Sequence, residues 1–261
     1  MKARMGYVVG GVTAIAFVSV GSTMINNIAS HPKSQVEIGG YATTLVGRTE
    51  SQRHNARLAA EELNGKLIPP GGTFSFNKTV HSWSMDRGYV KAPVSYDGEL
   101  VRAFGGGVCQ TSTTLYNAAL IAGLPILERH PHVFAAHYVP PGQDAAVAHP
   151  GIDLRFKNPY RFPIRIVASA VDDRVEVRMY GAKETGKSVT LSADVLSTSP
   201  PANTTRITST NGKFGYTRNP GSTGYRVVTY RNTIDQSGKK IRERLSDDTY
   251  QAMDRLIRVT E

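Results

Sequence analysis

Cys109 is the single cysteine in a chain of 261 residues. It follows Gly105-Gly106-Gly107-Val108 and precedes Gln110 and Ser112-Thr113-Thr114. Glycines let a backbone turn or approach a ligand where a Cβ would clash. Beyond the thiol, Leu115, Ala118, Ala119 and Ala122 recur at helical spacing, so the pattern predicts a helix stopped by Gly123 and Pro125. A thiol at the front of a helix faces free N–H groups and the positive end of the dipole, which favours thiolate. Acyl-transfer chemistry then needs a histidine to move the proton and a polar group to orient that histidine. His130 and His132 follow in Arg129-His130-Pro131-His132, an expected extended segment whose alternate residues face one side. His132 is the preferred base, because His130 precedes Pro131 and suits the turn. Asp144, after the Pro140-Pro141-Gly142 turn, is the expected orienter. The Cys109 N–H is a better oxyanion donor than the Gln110 side chain. Gly106, Gly107, Gln110, Ser112, Thr113 and Arg129 are assigned to substrate binding. A zinc site from Cys109, His130, His132 and His137 lacks a second cysteine or a His-Glu-x-x-His pattern, so no metal or cofactor is expected. The plainer alternative makes Cys109 a packed small side chain and the histidines backbone-bonded.

The elements that would carry these residues are partly legible. Thr49 to Gln52 fits a capping box before a helix in which Ala56, Ala59, Ala60 and Leu63 share a face, ended by Asn64-Gly65. Thr73 to Phe76 alternates as a short strand, and Asp97-Gly98 marks a hairpin turn within an extended stretch from Gly88 to Phe104. Ile126 to Phe134 reads as strand or strand-to-loop. Ile164 to Ala168 and Val175 to Met179 alternate around Asp172-Asp173, the pattern of an amphipathic hairpin. From about residue 186 the chain reads as a small β-rich module with a short helix after Ser246.

Hydrophobic content of 40% and charged content of 20% describe a folded protein. The net charge of +10 suits anionic partners: nucleic acid, a membrane surface or an acidic wall polymer. Lys2 and Arg4 precede an uncharged, largely apolar stretch from Gly6 to Ile25. That is the pattern of an export signal or of a single anchor with its N-terminus inside, and about 20 residues suffice to cross a bilayer. Export would exclude nucleic acid as a partner. It also makes an unpaired structural thiol unusual.

Several separated motifs then carry a resemblance. Gly71 to Asn77, Gly105 to Gln110 with Ser112 to Ala118, Glu128-Arg129-His130, Gly142-Gln143-Asp144-Ala145 and Asp153-Leu154 closely resemble the VanW-like family, a bacterial envelope family named from vancomycin-resistance clusters. The likeness runs from about Ile38 to Gly181. Gly221 to Val227 and Asp235 to Lys240 are similar to the second half of a G5 domain, a module thought to bind wall sugars. The resemblance implies L,D-transpeptidation of peptidoglycan stem peptides, with Cys109 as nucleophile, a thioester intermediate, and His132 or His130 moving the proton. The expected fold is α+β with a papain-like-type catalytic core. Residues 1–30 would be a membrane anchor or signal, 31–185 the VanW-like domain, and 186–261 the G5-like module. The expected setting is the cell membrane, single-pass with an extracytoplasmic domain, or secretion if the segment is cleaved. Expected partners are peptidoglycan or another anionic wall polymer, and the membrane through the N-terminal helix. The rival reading is a non-catalytic wall-binding or scaffold protein, in which Cys109 and the glycines shape a groove.

Overall fold

In the computed structural model, which describes residues 35–96, 99–209, 216–219 and 221–260, the chain opens with β1 (Val36–Thr44) and α1 (Glu50–Leu63). Short strands β2 (Leu67–Ile68) and β3 (Thr73–Ser75) lead into α2 (Phe76–Val80). The pair β4 (Lys91–Tyr96) and β5 (Glu99–Phe104) precedes α3 (Val108–Ile121), the helix that carries Cys109. Then come β6 (Ile126–Glu128), β7 (Arg155–Lys157), β8 (Ile164–Val171) and β9 (Arg174–Gly181). The remainder is strand: β10 (Ser188–Ser199), β11 (Thr204–Ser209), β12 (Tyr216–Asn219), β13 (Gly224–Ile234), β14 (Lys240–Tyr250) and β15 (Arg255–Thr260).

The apolar alternation of the central hairpin sets the main layer. Ile164, Ile166, Ala168 and Ala170 of β8 and Val175, Val177 and Met179 of β9 are buried, because a period of two sends them all to one face. That sheet is antiparallel in the order β1-β9-β8-β2. α3 lies against β1 and β9, and α1 against β8 and α3. The capping box forms as its spacing predicts: the Gln52 N–H bonds the Thr49 hydroxyl, and the Gln52 side chain accepts the Thr49 N–H. Ala56, Ala59, Ala60 and Leu63 then bury the inner face of α1. A second antiparallel sheet, β3-β7-β6, flanks this core, and β10-β13-β14 makes a third. The expected boundary between residues 185 and 186 falls in the link from β9 to β10.

Two local expectations change, and a third is narrowed. Phe76 begins α2 instead of extending β3, since Ser75 caps that helix through the Lys78 N–H. The strand at Ile126 stops at Glu128 and passes into a loop, the second of the two forms expected there, so both candidate histidines lie beyond it. The segment after Ser246 is not a helix but the end of β14, paired with β13. The Asp97-Gly98 turn lies outside the described residues, although Tyr96 pairs with Glu99 on either side of it.

The larger correction concerns the membrane. Among the described residues no helix is long and apolar enough to cross a bilayer; α1 and α3 have 14 residues each, against about 20 needed. The expected anchor at residues 1–30 lies outside the described residues. The membrane helix, the membrane as partner, and the single-pass extracytoplasmic placement that followed from it are therefore withdrawn. The papain-like label is withdrawn as well. The arrangement is an α+β one with several small sheets, and the helix that carries Cys109 lies against an antiparallel sheet.

β1 can cross the end of α3 only without a side chain at Gly39, where a Cβ would lie 2.5 Å from the Ala122 nitrogen. Gly39→Ala is expected to destabilise by about 1–3 kcal/mol, read as a lower urea midpoint at unchanged slope. Gly47→Ala, at φ +79 with nothing within 4 Å, should cost about 1 kcal/mol from its backbone alone. Equal losses would show that the close approach at Gly39 does not matter.

Candidate active site

The start of α3 is unusually polar for a buried helix. Gln110, Thr111, Ser112, Thr113, Thr114 and Asn117 are all buried, and each side chain makes at least one hydrogen bond, although Asn117 Oδ1 has no partner among the described residues. Gln110 Nε2 donates to the Thr43 hydroxyl at 3.1 Å and the Thr44 carbonyl at 2.7 Å. The Ser112 hydroxyl donates to the Ala145 carbonyl at 2.6 Å, and the Thr113 hydroxyl accepts the Ala145 N–H at 3.0 Å. Asn117 Nδ2 donates to the Gln143 carbonyl at 2.8 Å. These bonds fasten the loop at residues 143–145 along α3, which places Asp144 opposite the thiol. Gly107 caps the helix at φ +110, and a Cβ there would lie 2.2 Å from the Gln52 carbonyl oxygen.

Asp144 is the centre of what this loop builds. Its Oδ2 accepts the His132 backbone N–H at 2.7 Å and faces His132 Nδ1 at 2.5 Å. Its Oδ1 accepts Arg129 Nη2 at 3.0 Å and the Tyr250 hydroxyl. Because Nδ1 is committed to a carboxylate, it carries the proton and leaves the other ring nitrogen as the reactive one. The ring lies close enough to the Cys109 thiol for each to shift the other's pKa, and the thiol donates to the Val147 carbonyl at 3.5 Å. Cys109 is half-buried. Val108 and Gln110 N–H groups bond the Gly105 and Gly107 carbonyls. The Cys109 N–H between them has no backbone acceptor among the described residues.

The electrostatics follow from this packing. Burial pushes the Cys109 thiol up, but the hydrogen bond and charge of His132 outweigh it and hold the thiol below its ordinary value. Burial would lower His132, yet Asp144 and the thiol raise it to about 10. Burial likewise raises Asp144, and His132, Arg129 and Tyr250 together hold it below the usual carboxylate range. Tyr250 is pushed up by burial and by the Asp144 charge, so its hydroxyl remains a donor. Together these shifts favour the thiolate and the imidazolium beside an ionised carboxylate.

The other residues singled out by sequence fall elsewhere. His130 turns to Glu128 Oε1 at 3.2 Å and is bridged through its backbone to Ala146, not to the thiol. Arg129 is not free to meet a substrate. Its guanidinium is buried between Asp144 and Asp248, with Nη1 2.6 Å from Asp248 Oδ2. Gln110, Ser112 and Thr113 are engaged internally, Gly106 is buried with its carbonyl accepting Asn55, and Gly107 is a cap. These six support the site instead of lining it. None of them selects an L,D bond, so the L,D-transpeptidase label has no footing here and is dropped. His137 is exposed, and no group of three His, Cys, Asp or Glu suits a metal among the described residues.

Sequence reasoning missed Tyr250 and Asp248. They act on Asp144 and Arg129 across more than a hundred residues, and no local motif announces that. Period-two burial of Asp248 and Tyr250 in β14 was the available signal. A cavity of about 450 Å³, lined among others by Glu37, Ile38, Lys187 and Asp235, lies away from Cys109.

Comparison with known proteins agrees with the motif pattern. A family described as VanW like protein matches residues 51–180. The uncharacterized protein YoaR of Bacillus subtilis (strain 168) is 38% identical over 157 residues, 60% of this chain and 52% of that protein. The vancomycin B-type resistance protein VanW of Enterococcus faecalis (strain ATCC 700802 / V583) is 32% identical over 140 residues, 52% of this chain and 51% of that protein. The chain thus spans about half the length of these curated relatives. A crystal structure titled HP0197-G5 aligns at a TM-score of 0.15 and 16% identity, over 28% of this chain and 93% of that one. So slight a likeness carries no argument about the C-terminal strands. The matched region contains α1, α3, His132 and Asp144, and the chain carries a VanW-like domain over residues 51–180.

Proposed function

We propose that this site performs cysteine-dependent acyl transfer on a peptide bond. The observation that carries the reading is the grouping of Cys109 with His132, whose ring is bonded to Asp144, at the front of α3. The thiolate attacks the amide carbonyl carbon, and the Cys109 N–H receives the developing oxyanion. The His132 imidazolium gives its proton to the departing amine, leaving a thioester on Cys109. Neutral His132 then takes a proton from the incoming amine or water, whose attack releases the acyl group and restores the thiolate. Asp144 keeps the ring oriented and does not itself touch substrate. Peptidoglycan stem peptides are the substrate class to try first, given the resemblance to VanW-like proteins.

A second reading is a non-catalytic binding or scaffold protein. It is favoured by the cavity of about 450 Å³ between β1, β10 and β13. On that reading the strands from 188 to 260, likened to a G5 module, would bind a wall sugar.

Alkylation of Cys109 by iodoacetamide across pH separates the two. The proposed enzyme should show a midpoint below the value of about 8.5 for a free thiol. His132→Ala is expected to lower hydrolysis or transfer by about 10²-fold or more, while His130→Ala stays near wild type. A wild-type thiol that titrates like free cysteine, together with no thioester on stem peptides, would leave the scaffold reading standing.

The same geometry gives a bell-shaped rate against pH. Activity rises as the depressed Cys109 thiol ionises and falls as His132 loses its proton near pH 10. The stability that His132 gains from its partners is full below its unfolded value of about 6.5 and is lost as pH rises through about 10. Thermal midpoints of wild type and His132→Ala should therefore converge in strongly alkaline buffer. A gap that persists there would contradict the ion pair.

Tyr250→Phe removes one charge-assisted hydrogen bond from Asp144. It should slow turnover by about tenfold and raise the alkylation midpoint of Cys109. Tyr230→Phe, on the neighbouring strand and stacked under Arg242, should do neither.

A further inference from the structure

Arg48 stands beside the nucleophile helix with most of its hydrogen-bonding capacity unused. It lies in the link from β1 to α1. Its Nε donates to Gln110 Oε1 at 3.0 Å, and its guanidinium carbon sits 4.8 Å from the centre of the Tyr138 ring. Gln110 directly follows Cys109, and its own amide is tied to Thr43 and Thr44, so the oxygen that receives Arg48 is fixed. Tyr138 in turn lies near enough to Cys109 for the thiolate to raise its pKa, after burial.

The guanidinium is thus held by one edge and one face. Nη1 and Nη2 have no hydrogen-bond or ion-pair partner among the described residues. The nearby carboxylates do not supply one, because Glu50 and Asp173 both turn to Arg53. Burial pulls the Arg48 pKa below its ordinary value, as expected for a partly desolvated cation lacking a counter-charge. A pre-oriented fork of this kind matches a planar carboxylate through two parallel N–H bonds.

We propose that Arg48 is the anion subsite of the acyl-transfer site, holding a carboxylate that the peptide substrate carries close to its reacting amide. The inference rests on the acyl-transfer reading and narrows its substrate to a peptide with a free carboxylate near the scissile bond. That group can be a chain terminus or an acidic side chain.

Three reagents test this on the full chain: bromoacetyl-glycine, bromoacetyl-glycinamide, and bromoacetyl-aspartate amidated at its α-carboxyl. Each alkylates Cys109 by forming an S–C bond and releasing bromide, and each rate is divided by its rate with free cysteine. The carboxylate reagents should exceed the glycinamide by about tenfold, the strength of one good charge-assisted contact. A preference for the glycine or the aspartate form tells a terminal from a side-chain carboxylate. Arg48→Gln should bring the ratio to about one, with Arg48→Lys between. If Arg48→Gln does not fold, competition in the unmodified protein decides: N-acetylglycine or N-acetyl-aspartate α-amide should slow bromoacetyl-glycinamide, and N-acetylglycinamide should not. A wild-type ratio near one, a ratio kept in Arg48→Gln, or no protection by either carboxylate overturns the subsite. A slow reaction with neutral bromoacetyl-glycinamide, no faster than free cysteine, instead overturns the acyl-transfer reading.

Discussion

A carboxylate with almost no exposure to water is the constraint around which this site is organised. Asp144 has a side chain 1% exposed, and a buried charge is tolerated only when its lone pairs are fully engaged. Four donors meet that demand, two on each oxygen. Both donors on Oδ2 belong to His132, one from the backbone and one from the ring. The imidazole is therefore fixed relative to its own main chain, with Nδ1 held by the carboxylate and the ring beside Cys109. The orientation needs no strand beneath the histidine, which is why a loop can carry it.

The buried polar residues of α3 follow from the same constraint. A loop that presents an ionised aspartate to a helix carries carbonyl and amide groups into the interior, where each must be paired. Ser112, Thr113 and Asn117 supply those partners along one stripe of α3. Their short side chains bring the loop close to the helix. Apolar residues there would leave the Gln143 and Ala145 backbone unsatisfied, at about 1–3 kcal/mol for each group.

What was legible in the sequence depends on how far each interaction reaches along the chain. The capping box at Thr49, the β8–β9 hairpin and the helix after Cys109 are signals written within a few residues, and they appear where the spacing puts them. His132 and Asp144 could be nominated by residue type and order, but the distinction from His130 rests on which side chain meets Asp144. The polar stripe of α3 is open to misreading, because serine and threonine beside a lone cysteine look like ligand contacts until their partners are seen. The end of β14 was mistaken for helix because its inward residues, Asp248 and Tyr250, are polar-ended and conceal the period-two burial. Arg129 likewise drew attention as a charged group in a motif, whereas its two carboxylate partners lie 15 and 119 residues away.

The long reach of these contacts bears on where the working unit ends. The VanW-like match stops at residue 180, yet Asp144 Oδ1 and Arg129 Nη1 find partners on β14. Gly142 is gripped from the same side: its N–H donates to the Tyr250 hydroxyl at 2.9 Å, and its carbonyl accepts the Thr229 hydroxyl at 3.2 Å. Arg231 Nη1 donates to the Leu124 carbonyl at 2.8 Å, so β13 also holds the exit of α3. The loop that bears His132 and Asp144 is consequently clamped between α3 on one side and the β13–β14 hairpin on the other. Without the hairpin, Arg129 would keep a buried charge facing one carboxylate instead of two. Removing a partner from a buried pair costs about 3–5 kcal/mol, a large part of the stability of a domain this size. The C-terminal hairpin is thus part of the frame that holds the site, and the residues 51–180 do not complete that frame alone.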